Sequence, residues 1–245
     1  MLLNETTTLY TSRLVLRPYR RWHVPQYHAW MEDDTVREQT ASERLTMQAE
    51  EEMQRSWRLD EDKLTFIVHL RSRFAPSPVD DPKGFLQAHN DSSTMLGDVN
   101  LFLHSTSDSE SEPSSPTTST SPEQQPKVKA ELEIMFPLSC PLYKPRTGLA
   151  LETLQLFISY ASKHLDLRPE QFIVKVGYEN VPSLKLFEKL GFRETKRVEV
   201  FREVEMGWGG SREGEEEGNK WSWEKQEEEG WEIGILEDPR DPERD

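Results

Sequence analysis

Residues 180–192, Asn180-Val-Pro-Ser-Leu-Lys-Leu-Phe-Glu-Lys-Leu-Gly-Phe192, decide the fold. They follow an alternating apolar run, Phe172-Ile-Val-Lys-Val-Gly-Tyr178, which reads as a buried strand. Asn180 suits an N-cap, where its side-chain oxygen accepts a hydrogen bond from an otherwise orphaned backbone N–H. Pro182 falls in the first helical turn, where its missing N–H has no intrahelical partner to lose. Leu184, Phe187 and Leu190 recur at helical spacing, and Gly191 is free to take the left-handed conformation that ends a helix. Phe192 opens the next strand. The order is therefore strand, tight turn, short helix, glycine stop, strand.

Upstream, Leu154, Phe157, Ile158, Ala161 and Leu165 form one apolar stripe and predict a long helix from about Thr147 to Leu165. Ahead of it stands Arg146-Thr147-Gly148-Leu149-Ala150. Glycine lets the backbone approach a ligand closely, and a helix start presents free N–H groups and the positive end of the dipole. Further back, Ser12 to Arg17 alternates as a strand should, and His23 to about Glu32 and Thr46 to about Leu59 read as helices. Met47, Met53 and Trp57 give the second helix an apolar stripe. Leu64 to Leu70 is a strand, followed by a Pro-rich loop from Ala75 to Pro82. Strands at Leu96 to Leu103 and Ala130 to Phe136 come next, and a final strand runs from Phe192 to about Glu205. Two helices ahead of an antiparallel meander give an α+β class, a central, mostly antiparallel mixed sheet flanked by helices.

The 245 residues suffice for one domain with a substantial core, but only 34% are hydrophobic while 31% are charged, so part of the chain lies outside that core. A net charge of −15 argues against binding nucleic acid through its phosphates. The single cysteine, Cys140, rules out an internal disulfide and fits a reducing compartment, so a cytoplasmic location is expected, with the nucleus as the alternative. No stretch approaches the length of a membrane span, and no membrane partner is expected.

Two segments account for the missing hydrophobicity. Residues 105–126, STSDSESEPSSPTTSTSPEQQP, carry no apolar side chain except proline and are expected to be disordered. They lie between two strands, where a long insertion adds little closure entropy, so they read as a hairpin insert. The second segment, 207–245, holds 14 acidic against 5 basic residues, which leaves a net charge of −6 for everything before it. It is an acidic tail bearing Trp221, Trp223 and Trp231 and is expected to be disordered. The domain is therefore placed at residues 1–206.

The pattern N-x-x-S-x-x-x-F-x-K-x-G-F over 180–192 resembles the C-terminal signature of the GCN5-related N-acetyltransferase superfamily. Longer strings are similar to the eukaryotic N-acetyltransferase 9-like family over about residues 1–206, outside the insert. They are Arg13-Leu-Val-Leu-Arg-Pro-Tyr19, Tyr27-His-x-Trp30-Met31, Thr40-Ala-Ser-Glu43, Asp62-Lys63-x-Thr65-Phe66-Ile67-Val68 and Gly97-Asp98-Val99-Asn100-Leu101-Phe102-Leu103. The resemblance implies the GCN5-related acetyltransferase fold and acetyl transfer from acetyl-CoA, without a metal, to an amine. For the closer family that amine is a protein N-terminus, with tubulin the named acceptor.

The resemblance also implies site residues. The end of the strand at Ile134, Met135 and Phe136 would flank the pantetheine and thioester, and Arg146, Thr147, Gly148, Leu149 and Ala150 would cradle the pyrophosphate. Asn180, Ser183 and Phe187 would lie by the pantetheine arm. The superfamily usually has Gln or Arg three residues before this glycine; here Pro145 holds that place, with Lys144 and Arg146 beside it. Many members carry a proton-donating Tyr where this chain has Phe187, so water or another group must protonate the leaving thiolate.

Acetyl transfer needs a neutral amine, a polarised carbonyl and a protonated leaving group. Glu133 shares a strand face with Glu131 and Met135 and is the candidate base; the alternative is a solvated strand residue. Asn180 is the second candidate catalytic residue, or a plain cap. Asp98 and Asn100, polar in an apolar strand, are either acceptor contacts or hydrogen-bonded structural residues. Glu43, in a loop between helices, is a candidate for the acceptor ammonium or a surface residue. The six histidines lack metal-ligand spacing, and Cys140 has no evident His or Asp partner in the sequence. A second reading is an acetyltransferase fold without activity, retained as a protein-binding module with an acidic tail.

Overall fold

The computed structural model describes residues 2–106, 127–209 and 233–238. The signature segment folds as its local chemistry requires. Strand β6 (Phe172–Gly177) leads to helix α6 (Val181–Lys189), whose N-cap Asn180 accepts a bond from the Ser183 N–H. Gly191 ends the helix with φ of 97°, and a side chain there would also run into the Trp208 ring. The long helix α5 (Leu149–Leu165) starts at Gly148, whose φ is 82°. Its apolar stripe, Leu154, Phe157, Ile158 and Ala161, is buried in the main core.

The remaining elements come in the expected order with additions. Strands β1 (Thr7–Tyr10) and β2 (Leu14–Pro18) precede helices α1 (Val24–Met31), α2 (Asp34–Gln39) and α3 (Met47–Leu59). Strand β3 (Lys63–Leu70), helix α4 (Pro82–Gln87), and strands β4 (Met95–Thr106) and β5 (Lys127–Met135) lead to α5. After α6 come β7 (Phe192–Val198), β8 (Glu203–Trp208) and β9 (Gly234–Glu237). Among the described residues they form one sheet in the order β7-β8-β6-β5-β4-β3-β2-β1-β9. Its pairs are antiparallel except β5 with β6, which confirms the α+β reading. One face packs on α5 and α6; the other carries a second cluster of Tyr19, Tyr27, Trp30, Ile67, Met95 and Met135.

Four expectations change. The final strand is two, because the chain turns through Glu199–Phe201 and Arg202, with φ of 53°, to bring β8 back between β7 and β6. Short α2 and α4 were hidden by their length and lack of a long stripe. On α3, Met53 and Trp57 pack inward but Met47 is exposed, since it lies in the first turn beyond the core. The fourth concerns the tail: residues 233–238 are ordered against the domain, while Trp221, Trp223 and Trp231 fall outside the described residues. Strand β9 pairs with β1 from Thr7↔Glu237 to Tyr10↔Gly234, and Asp238 forms a buried ion pair with Arg17.

The histidines are not all scattered in space. Buried His23 accepts from the Arg20 N–H through Nδ1, and its Nε2 lies 3.2 Å from Nε2 of His69, whose Nδ1 meets Thr94 Oγ1. Burial first, then positive neighbours, holds both rings well below the usual imidazole range, so the pair is a neutral structural link between β3 and the start of α1.

Ser105 and Thr106 belong to β4, and Thr106 pairs with Lys127, so the insert narrows to 107–126, outside the described residues. Because its two ends are already cross-strand neighbours, replacing 107–126 by Asn-Gly is expected to keep cooperative unfolding, with Tm within a few degrees of the parent. Loss of a single cooperative transition in thermal melts would show that the segment carries part of the core. No helix among the described residues is long and apolar enough to cross a membrane.

Candidate active site

Parallel pairing between β5 and β6 covers only Ala130↔Phe172 and Glu131↔Ile173. Beyond it β5 stays paired to β4 as far as Met135↔Asp98, and β6 stays paired to β8 as far as Gly177↔Glu203. The two strands thus part from each other, and among the described residues the β6-facing backbone edge of residues 132–135 has no strand partner. An open edge inside a sheet is a ready place for an extended ligand to pair. Gly97 keeps this end of β5 in place: any side chain there would collide with the Met135 carbonyl oxygen. The side chains of the predicted strand end are otherwise engaged. Met135 lies in the second cluster, Ile134 packs on the main core, and Phe136 stacks edge-on with Tyr143 at 5.0 Å. What this strand offers a ligand is its backbone.

The α5 start lies at the same end of the sheet. The first intrahelical bond runs from the Glu152 N–H to the Gly148 carbonyl, leaving the earlier N–H groups directed outward. Arg146, Thr147 and Gly148 are exposed, Leu149 is buried in the core and Ala150 is half-buried. The Thr147 hydroxyl donates to the Lys144 carbonyl at 2.7 Å. Sequence reasoning missed Arg13, whose guanidinium donates to the Thr147 carbonyl at 3.0 Å and pairs with Glu152 from the β1–β2 turn. It lies 3.7 Å from where a Gly148 side chain would begin, so positive charge reaches this turn despite Pro145. At the third predicted point, Asn180 and Ser183 are tied in the cap and half-buried. Phe187 is buried against Phe192, ring centres 5.5 Å apart, which gives its ring to the core.

On the face opposite α5 the register lines up polar side chains. Thr65, Asn100 and Glu133 are cross-strand neighbours, and so are Ile67, Asp98 and Met135. Thr65 Oγ1 donates to Asn100 Oδ1 at 2.7 Å, and Asn100 Nδ2 donates to Asp98 Oδ2 at 2.7 Å. Asp98 is 1% exposed, and its Oδ1 has no hydrogen-bond partner among the described residues; nor does the buried Tyr19 hydroxyl. Burial raises the Asp98 carboxyl to about 6, against the pull of its Asn100 bond and of Lys63.

Glu133 is open to water on one side, but the protein around it raises its carboxyl to about 7, with Asp98 and Glu131 adding to the rise and Lys63 and Lys175 opposing it. Glu131 itself bonds Lys175 Nζ at 2.6 Å and His104 Nε2 at 3.1 Å. Glu43 stands apart, exposed in the loop between α2 and α3, with no bond to another described residue. A carboxylate that titrates near neutrality beside an open strand edge is equipped to take a proton from an amine.

Sequence reasoning also missed Lys63 and Tyr19. The signal for Lys63 was present: it alternates with Thr65 and Ile67, so all three share a face of β3.

The acetyltransferase (GNAT) domain family matches residues 13–193. The chain is 40% identical over 206 residues to the alpha/beta-tubulin-N-acetyltransferase 9 of Drosophila melanogaster, covering 84% of this chain and 88% of that protein. It is 39% identical over 206 residues to the alpha/beta-tubulin-N-acetyltransferase 9 of Mus musculus, covering 84% and 72%. An N-acetyltransferase 9-like protein of Schizosaccharomyces pombe is 37% identical over 220 residues, covering 84% and 97%. Among solved structures, spermidine N-acetyltransferase from Vibrio cholerae in complex with CoA and spermine aligns with a TM-score of 0.53 at 17% identity, covering 80% and 93%. The ribosomal L7/L12 alpha-N-protein acetyltransferase RimL gives 0.53 at 13% identity, covering 80% and 90%. At these identities the two structures share the fold.

Proposed function

The chain belongs to the acetyltransferase (GNAT) family, among the N-acetyltransferase 9-like proteins, and we propose that it moves the acetyl group of acetyl-CoA onto a protein N-terminus. It is an N-acetyltransferase acting on protein. Tubulin is the acceptor to which its named relatives point, and a cytoplasmic site of action goes with that acceptor. The observation that carries the reading is Glu133 standing beside the unpaired edge of β5, in register with Asn100 and on the face that Asp98 shares. The reading of an inactive binding module is not favoured, since the family match and the relatives named as acetyltransferases point to activity, and the strand fork and the glycine start of α5 are present.

The residues fit acetyl-CoA. The free edge of residues 132–135 suits the amides of a pantetheine arm, and the first N–H groups of α5 with the left-handed Gly148 suit phosphate oxygens. When bound, acetyl-CoA supplies an activated thioester carbonyl. The β5 backbone orients that carbonyl, and the first turn of α5 holds the phosphates. The acceptor α-amino group, with a pKa of about 8, arrives mostly protonated at neutral pH. Glu133 takes the proton at a carboxylate oxygen, directly or through water, and the buried Asp98 carboxyl, held by Asn100 and Thr65, lies on the same sheet face. Phe187 has no proton to give, so the thiolate released when the thioester C–S bond breaks and the amide bond forms would draw its proton from water.

Mass spectrometry of N-terminal tubulin peptides incubated with enzyme and acetyl-CoA tests the assignment. Acetylation of the free α-amino group is expected, and none on the same peptides blocked at that amine. Modification of lysines alone would overturn it. For the donor site, Gly148→Glu puts bulk and negative charge where phosphates would sit and strains a φ of 82°. Acetyl-CoA affinity by calorimetry is expected to fall by roughly tenfold or more. Unchanged affinity would remove the pyrophosphate from this turn.

A further inference from the structure

Arg13 stands in the β1–β2 turn, where its backbone is firmly held. Its N–H donates to Thr11 Oγ1 at 3.1 Å, and its carbonyl accepts from the Arg71 N–H at 2.7 Å. The Thr11 hydroxyl also accepts from the Leu14 N–H and donates to Glu152 Oε1 at 2.5 Å, which clamps the turn onto α5. From there the Arg13 side chain reaches the start of that helix. Nε donates to Glu152 Oε2 at 2.7 Å, Nη2 donates to the same oxygen, and Nη1 donates to the Thr147 carbonyl at 3.0 Å. A guanidinium carries five N–H groups in one plane. These bonds use three of them, so one N–H on each Nη atom has no acceptor among the described residues. The Arg13 side chain is 46% exposed and that of Glu152 only 9%, so the carboxylate lies on the protein side and the guanidinium meets water. Nη2 is 3.7 Å from where a Gly148 side chain would begin.

We propose that Arg13 is a cofactor-binding residue: its spare N–H groups hold the pyrophosphate of acetyl-CoA beside Gly148 and supply the cation that Pro145 cannot. The proposal rests on the reading of the α5 start as the phosphate seat and adds the side chain that serves it.

The first N–H groups of a helix bring only partial positive charge to a phosphate. A guanidinium adds a full charge and a flat fork that meets two oxygens at once. Lys144 and Arg146 are exposed on the loop ahead of Gly148, and Lys144 Nζ is a point charge on a flexible stem. Arg13 differs in being fixed beforehand, so little side-chain freedom is lost when it binds. Glu152 offsets part of its charge, but by holding one edge of the guanidinium it also aims the other.

Calorimetric titration with CoA and with dephospho-CoA, which keeps the pyrophosphate and lacks the ribose phosphate, tests the assignment. Arg13→Gln keeps a polar side chain in the turn and removes the charge. Its affinity for both ligands is expected to fall by the same factor, roughly tenfold. Unchanged affinity for both overturns the proposal. A loss confined to CoA also overturns it, because Arg13 would then serve the ribose phosphate. Glu152→Gln separates binding from mere bracing of the turn. It takes a negative charge away from the phosphate seat, so CoA is expected to bind at least as tightly as in the parent. Weaker binding there would make Arg13 and Glu152 a brace and overturn the proposal. If Arg13→Gln does not unfold cooperatively, Glu152→Gln decides on the same terms. Gly148→Glu tells the two readings apart. Should it weaken CoA binding while Arg13→Gln does not, only the role of Arg13 is lost; should neither weaken it, the phosphate seat is lost as well.

Discussion

Replacing Asp238 by alanine is expected to cost the fold about 3–5 kcal/mol, the usual scale for leaving a buried charge without its partner. Arg17 donates Nε to Asp238 Oδ2 at 2.9 Å and Nη2 to Oδ1 at 2.8 Å, a two-pronged pair whose side chains are 6% and 4% exposed. Thr8 Oγ1 donates to the same carboxylate at 2.7 Å, and Arg20 reaches the Asp238 carbonyl. Arg17 keeps contacts with the Leu86 and His89 carbonyls, but these are neutral acceptors and do not replace a carboxylate. Chemical denaturation of Asp238→Ala checks the figure; a loss under about 1 kcal/mol would mean those carbonyls suffice. Truncation after Gly209 removes Asp238 together with β9 and should cost at least as much. A paired Arg17→Met, Asp238→Leu change is expected to recover only part of the loss, because it strips the donor from both carbonyls.

That ion pair marks where sequence reading stops. Asn180, Pro182 and Gly191 were legible because caps and helix stops are decided by neighbours a few residues away. Strand β9 was not: Gly234-Ile-Leu-Glu237 is four residues inside a strongly acidic segment, and what holds it lies 221 positions away in Arg17 and along β1. Its glycine is demanded by the Tyr10 ring, another partner invisible to a local reading. The candidate site divides in the same way. Glu133, Asp98 and Asn100 stand out as polar residues in apolar strands, so alternation alone flags them. Tyr19 and Arg13 join the site only through packing across the sheet, whereas Lys63 was open to the same alternation argument along β3. Phe187 fits a family position, yet the hydrophobic stripe that makes α6 a helix also draws that ring into the core.

Glu133→Gln is expected to lower kcat by roughly 10²-fold or more, the scale of losing a general base, with acetyl-CoA affinity little changed. The amide keeps the shape and an acceptor oxygen but cannot hold the amine proton. The pH sign follows from the group. With a carboxyl near 7, the fraction of Glu133 able to accept a proton rises as pH climbs through neutrality and levels off above about 8. Wild-type kcat should therefore climb over that interval, and the climb should be lost in the Gln variant, leaving only the residual dependence of the acceptor amine itself. The assay belongs near pH 7, where an α-amino group of pKa about 8 is mostly protonated and most in need of help. An acceptor amine that is already neutral narrows the gap between wild type and variant, so the ratio of their rates should shrink as pH rises towards 9. Equal turnover at pH 7 would make Glu133 a strand residue and pass the role to Asp98, whose carboxyl near 6 and unpartnered Oδ1 make it the next carboxylate to replace.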